Sequence, residues 1–247
     1  AAALSCSPIV TNEDNSWVII AIAVPVGVVF IALVAFCMIR SEMERRENVR
    51  NVDNAPKSGE VTLLFTDIQD STKLWGTCPS SMSASLEHHH RLIREAIGRH
   101  KGYEVKTVGD CFMIAVGSVD NGVSLALDIQ HALQAQKFPR AIRAVYECAT
   151  EEELDNVDDD PDDQDDLHPL FNGLRVRIGM HTGVPDVVFD EVTKGYDYYG
   201  PPVNVAARVE STARGGQINA TRDVTSRMGD RDDVDIVLKG PVELKGV

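Results

Sequence analysis

The chain offers no pattern of paired cysteines. Its five cysteines, at positions 6, 37, 78, 111 and 148, are odd in number, widely scattered and without a CxxC pair. That argues against a zinc site or a disulfide framework. A basic face is also missing. The formal net charge is −14, but residues 151–166 alone hold eleven acids and no base. Set aside, they leave 27 acids against 24 bases, a net of −3. Nothing in that balance suggests a nucleic-acid partner. No internal repeat is visible, so a repeat architecture is set aside as well.

What the chain does have is one long run without charge, residues 17–39, 23 residues in length. At about 1.5 Å per residue such a helix reaches roughly 35 Å, enough for a hydrocarbon core of about 30 Å. Glu13 and Asp14 precede it, and Arg40, Arg45, Arg46 and Arg50 follow it. The positive-inside rule then places the C-terminal side in the cytoplasm. A signal-peptide core fits poorly, because the run is too long and no basic segment precedes it. The sequence predicts an extracellular remnant at 1–16, one transmembrane helix at 17–39, a charged juxtamembrane linker at 40–60 and a cytoplasmic domain at 61–247. This is the expected layout of a single-pass membrane protein, here the tail end of a larger receptor.

Within the domain, apolar runs predict strands at 61–66, 103–108, 112–116 and 174–181. Apolar stripes predict helices at 81–100 and 122–136, and residues 184–199 read as a β-arm. Paired prolines at 201 and 202 suit only the first turn of a helix at 201–213. A strand at 217–220, a short helix from Thr221 and strands near 234–238 and 242–245 complete the series. Residues 137–170 interrupt it as an insert, whose acidic half cannot bury enough apolar surface to order itself firmly. The βαββαβ order predicts an α/β (α+β) fold, a ferredoxin-like sandwich with a β-arm and an insertion. The run His88, His89, His90 reads as a solvated helix face, since successive positions diverge by about 100°.

Two aspartates carry the clearest chemistry. Asp67 closes the first apolar run, and Asp110 sits in the turn between the second and third. A right-handed crossover makes the first two strands parallel, so both carboxylates fall at one sheet edge. Such a pair suits Mg²⁺, which takes one or two carboxylates and fills its remaining positions with water and substrate phosphate. Taken singly, Asp67 also suits a helix cap and Asp110 a tight turn. Backbone N–H groups at 68–72, where a helical turn begins, would face anions.

The words Phe65-Thr-Asp-Ile68, Val105-Lys-Thr-Val-Gly-Asp110, Gly179-Met-His-Thr-Gly183 and Tyr196-Asp-Tyr-Tyr-Gly-Pro-Pro-Val-Asn-Val-Ala-Ala-Arg208 occur in that order. Together they resemble the catalytic domain of class III nucleotidyl cyclases, over residues 61–247 apart from the insert. A transmembrane segment before such a domain resembles the receptor-type adenylate cyclases of kinetoplastid parasites (trypanosomes and Leishmania). The resemblance implies that Asp67, Asp110 and the backbone oxygen of Ile68 hold two divalent ions per site, Mg²⁺ or Mn²⁺. It implies phosphate contacts from Ser71 and Thr72, and from a C-terminal lysine, Lys239 or Lys245, of which Lys245 is taken. It further implies that Lys106 and Asp197 read the base, and that Asn204 and Arg208 orient the ribose and stabilise the pentavalent transition state. Lysine can donate to N1 of adenine and aspartate can accept from its 6-amino group, so ATP is the expected substrate and cyclic AMP the product. The bland reading of Lys106 and Asp197 is a surface salt bridge. In the family one site draws on two domains, so a head-to-tail homodimer follows. The competing functions are a guanylate cyclase and a catalytically inactive, dimerising receptor subunit. A diguanylate cyclase should show a Gly-Gly-[Asp/Glu]-Glu-Phe turn, where this chain has Val-Gly-Asp-Cys-Phe.

Overall fold

The structure, a computed structural model, describes residues 51–148, 158–163, 173–244 and residue 246, together with Phe36. The expected remnant at 1–16, membrane helix at 17–39 (Phe36 apart) and stalk at 40–50 lie outside the described residues. Among the described residues no helix is long and apolar enough to cross a membrane.

Five strands form one sheet: β1 (Val61–Ile68), β2 (Tyr103–Val108), β3 (Cys111–Val116), β4 (Val176–Gly183) and β7 (Ile218–Ala220), in the order β2-β3-β1-β4-β7. The central β1 runs antiparallel to both β3 and β4, and β3 antiparallel to β2. Strands β1 and β2 therefore point the same way, as the crossover argument requires. The order of the first four strands is that of a ferredoxin-like sheet. A separate hairpin of β5 (Asp186–Asp190) and β6 (Gly195–Tyr199) makes the expected arm.

Side-chain alternation along β1 divides two cores. Leu64 and Ile68 face one way, into a cluster with α2 (Pro79–Arg99), α3 (Val119–Ala135) and α4 (Arg140–Glu147). Val61 and Leu63 face the other way, with Tyr103, Val105, Met113, Tyr198 of the arm and Ala206 of α5 (Pro201–Ser211). Helix α5 lies very close to the sheet: a Cβ on Gly179 would stand 2.0 Å from the backbone nitrogen of Glu210. Only glycine permits this approach, and it fixes where the residues of α5 lie. The segment before β1 joins the second core, for Ala55 is buried and the Tyr198 hydroxyl donates to the Pro56 carbonyl at 2.9 Å.

Three expectations are corrected. Residues 234–244 form no strand, and Val237 and Leu238 are exposed. Their alternation is strand-like, but a strand also needs a neighbouring edge and a face to cover. The described parts of the insert, 137–148 and 158–163, are packed onto the domain. Its start forms α4, which buries Ala141, Ile142 and Val145. Further along, Asp159 caps α2 by accepting from the N–H groups of Ser80 and Ser81 at 2.9 and 2.8 Å. The histidine run is not simply solvated. His89 is wholly buried against Phe112, ring centroids 5.7 Å apart, and neither ring nitrogen has a hydrogen-bond partner.

Candidate active site

The first group of site residues sits at the end of β1. A two-residue turn, Gly109-Asp110, joins β2 to β3, and Gly109 takes the positive φ of 61° that its first position demands. The turn brings Asp110 back to β1, where its carboxylate accepts from the Ile68 N–H at 3.1 Å. Asp67, one residue earlier, accepts a hydrogen bond from Arg177, its direct neighbour across β4. The same guanidinium approaches Glu210 of α5, with Nε 3.0 Å from Oε1.

The electrostatics of this corner are strained. Burial raises the Asp67 carboxyl above its ordinary value; the Arg177 hydrogen bond opposes that, and the Asp110 charge adds to it. Burial pushes Glu210 up to about 7, against the pull of Arg177 and with help from Asp67 and Asp110. Cys111 is pushed up to about 12 by burial and the surrounding carboxylates, so in the metal-free chain it is a thiol. Crowded, partly desolvated carboxylates of this kind fit a divalent cation, which would relieve their mutual repulsion. Among the described residues no three His, Cys, Asp or Glu side chains converge as a metal cage. An ion here would rely on the two aspartates and on oxygens from backbone, water or substrate, a donor set that suits Mg²⁺.

Past Ile68 the chain turns sharply. Asp70 adopts a left-handed conformation (φ 56°, ψ 27°), and Ser71 and Thr72 open α1 (Ser71–Thr77). Three bonds brace the loop. The Tyr146 hydroxyl donates to the Gln69 carbonyl at 2.8 Å, Gln69 N–H donates to the Arg175 carbonyl at 2.9 Å, and Gly215 N–H donates to the Gln69 side chain at 2.7 Å. Helix α4 of the insert thus touches the loop that follows Asp67.

A second group lies on the arm side of the sheet. A β-bulge interrupts the pairing of β2 with β3 between Glu104 and Lys106. Glu104 faces α2 and holds Arg94 at 2.9 Å. Unbulged, Lys106 would face the same way. The extra residue turns it to the other side, where its amine donates to Asp197 at 2.9 Å. The arm itself is docked by Tyr103, whose hydroxyl donates to the Tyr196 carbonyl and accepts from the Tyr196 N–H. Asp197 also accepts from the Tyr199 hydroxyl and the Tyr198 N–H, each at 3.0 Å. Burial would raise its carboxyl, but the bonds from Lys106, Tyr198 and Tyr199 hold it below its ordinary value.

Asn204 and Arg208 share the exposed face of α5, one turn apart. Among the described residues no hydrogen bond or ion pair joins these three groups within the chain. Lys239 donates to Gln217 and Asn219 at 3.0 and 2.9 Å, and Lys245 lies outside the described residues. Sequence reasoning missed Arg177 and Glu210. The available signal was a charged residue inside the apolar run Val176-Arg-Ile178.

The profile described as the adenylate and guanylate cyclase catalytic domain matches residues 53–247. Receptor-type adenylate cyclase A of Leishmania donovani is 44% identical over 209 residues, which cover 80% of this chain. A receptor-type adenylate cyclase of Trypanosoma congolense is 42% identical over 238 residues, 92% of this chain. The chain spans only 15% and 32% of those two proteins. A solved adenylate cyclase structure from Trypanosoma brucei, in its monomeric state, superposes with a TM-score of 0.66 at 41% identity. That alignment covers 79% of this chain and 89% of the other. The chain belongs to the adenylate and guanylate cyclase catalytic domain family.

Proposed function

We propose that the chain is the catalytic portion of a receptor-type adenylate cyclase, converting ATP to cyclic AMP and pyrophosphate. The observation that carries this reading is the Lys106–Asp197 contact at 2.9 Å. A donor for adenine N1 and an acceptor for the 6-amino group stand side by side, placed by the bulge in β2. Guanine lacks that amino group and would leave polar groups unpaired, a strong source of discrimination.

Asp67, Asp110 and the Ile68 carbonyl would hold two ions, Mg²⁺ or Mn²⁺. Bound there, the ions would neutralise the triphosphate and make the ribose 3′-hydroxyl more acidic. The N–H groups and hydroxyls of Ser71 and Thr72, with Lys245, would take the phosphate oxygens. Asn204 would set the ribose for in-line attack on the α-phosphorus, and Arg208 would face the charge that develops there.

Asn204 and Arg208 are exposed, and among the described residues no hydrogen bond or ion pair joins either to Asp67 of the same chain, which supports a head-to-tail homodimer with two shared sites. A single membrane helix at 17–39 would anchor the chain, with the domain in the cytoplasm. The test is to incubate residues 51–247 with Mn²⁺ and either ATP or GTP. The expected product is cyclic AMP, formed in strong preference to cyclic GMP and lost in Asp67→Ala and Asp110→Ala. Preferential cyclic GMP formation, or near-normal turnover in either aspartate variant, overturns the assignment.

A further inference from the structure

One guanidinium stands between two carboxylates at the end of β1. Arg177 donates from Nη2 to Asp67 Oδ2. Its Nε is only 3.0 Å from Glu210 Oε1, yet the two are out of line, and neither atom has a hydrogen-bond partner. Glu210 is only 9% exposed, and its Oε1 is shut off from water. Its backbone is held in place, because α5 is pressed against Gly179. The guanidinium therefore serves Asp67 with a bond and Glu210 by proximity alone. A forked Arg–carboxylate pair would satisfy Glu210 in full, but it needs the donors that Asp67 now draws on.

We infer that Arg177 is an internal counter-cation that competes with the divalent ion for Asp67, and that Glu210 is its alternative seat. This rests on the reading of Asp67 as a metal ligand. A cation arriving at Asp67 displaces the guanidinium, which then completes its fork on Glu210. Glu210 thus helps the metal bind without touching it, and Arg177 opposes the metal by holding its ligand. Arg177 is also the group that keeps Asp67 from standing uncompensated beside Asp110, whose charge is of the same sign. A guanidinium that merely oriented Asp67 for the metal would behave in the opposite sense, and the sign separates the two roles.

The test is direct titration of the full chain with Mn²⁺ by calorimetry and electron paramagnetic resonance, without nucleotide. Arg177→Gln is expected to bind Mn²⁺ several-fold more tightly than wild type. Arg177→Lys, which keeps the charge but loses the fork, is expected to bind about twofold more tightly and carries the test if the glutamine variant does not fold. Glu210→Gln is expected to bind several-fold more weakly, since Arg177 then has Asp67 alone. Weaker or unchanged Mn²⁺ affinity in the folded Arg177 variants, where Asp67→Asn does lower it, overturns the exchange. Unchanged affinity in Asp67→Asn overturns the metal reading itself, and the exchange with it.

Discussion

Lys106 and Asp197, 91 positions apart, meet at 2.9 Å because β2 carries one residue more than its partner strand at that point. In the proposed reading the pair is the most direct handle on specificity. Lys106→Glu combined with Asp197→Cys is expected to lower kcat/KM for ATP on the order of 100-fold, the scale of two mismatched hydrogen bonds. Some turnover of GTP should appear. Competition assays with both nucleotides check this, and a double variant that prefers ATP by the wild-type margin removes these residues from base reading.

Shared sites give a complementation prediction. Asp67→Ala and Arg208→Ala should each be inactive alone. Mixed, they should recover about a quarter of wild-type activity, since half of the twofold dimers would be mixed and each would hold one intact site. Cross-linking or native mass spectrometry shows whether mixed dimers form. No recovery in their presence would falsify the composite site.

His89 makes stability depend on pH. Burial, with smaller contributions from His90 and Arg94, lowers its pKa from 6.5 to about 3. The unfolded chain takes up a proton near 6.5 and the folded chain does not, so between those values the unfolded state binds more protons. Stability from this residue is full above pH 6.5 and falls as pH falls toward 3. Between pH 6.5 and 4.5 the loss is on the order of 1–3 kcal/mol. Denaturant unfolding at several pH values should show a shallower acid slope in His89→Leu than in wild type. Identical slopes would remove His89 from the acid sensitivity.

The acidic stretch should matter for stability more than for turnover. Deleting 151–166 removes the Asp159 cap on α2, which is worth about 1 kcal/mol. In a domain of this size that lowers Tm by roughly 2–4 °C. Asp159→Ala alone should reproduce the shift. Basal cyclic AMP formation in the deletion should stay within a few-fold of wild type, because shortening a loop changes closure entropy by only about 1 kcal/mol or less. Complete loss of activity in a folded, dimeric deletion variant would place the acidic stretch within the chemistry.

The parts of the site legible in the sequence were those fixed by strand order. Asp67 ends a strand and Asp110 sits in a two-residue turn, so topology alone brought them to one edge. That Asn204 and Arg208 share one exposed helix face follows from helical spacing in the same way, whereas their proposed role came only from the family resemblance. Lys106 was found without its orientation, because alternation counted straight along β2 gives the wrong face, and a bulge has no sequence mark here. Arg177 and Glu210 escaped because each reads as an ordinary strand or helix residue until α5 is laid against Gly179. Helix α4 was hidden by the acids that follow it, whose charge dominates any composition window. His89 was misjudged for a different reason. Three adjacent histidines cannot share a helix face, but one of them can still be the residue that points inward.

The bulge in β2 also bears on how substrate preference could change. Glu104 and Lys106 would project on one side of a regular strand, yet here they serve opposite sides, one holding Arg94 and the other Asp197. Removing a single residue near Val105 would leave both proposed base-reading side chains present in the sequence and still turn Lys106 away from Asp197. If the pair reads the base as proposed, selectivity is written partly in backbone length, a quantity that substitutions at Lys106 and Asp197 cannot restore.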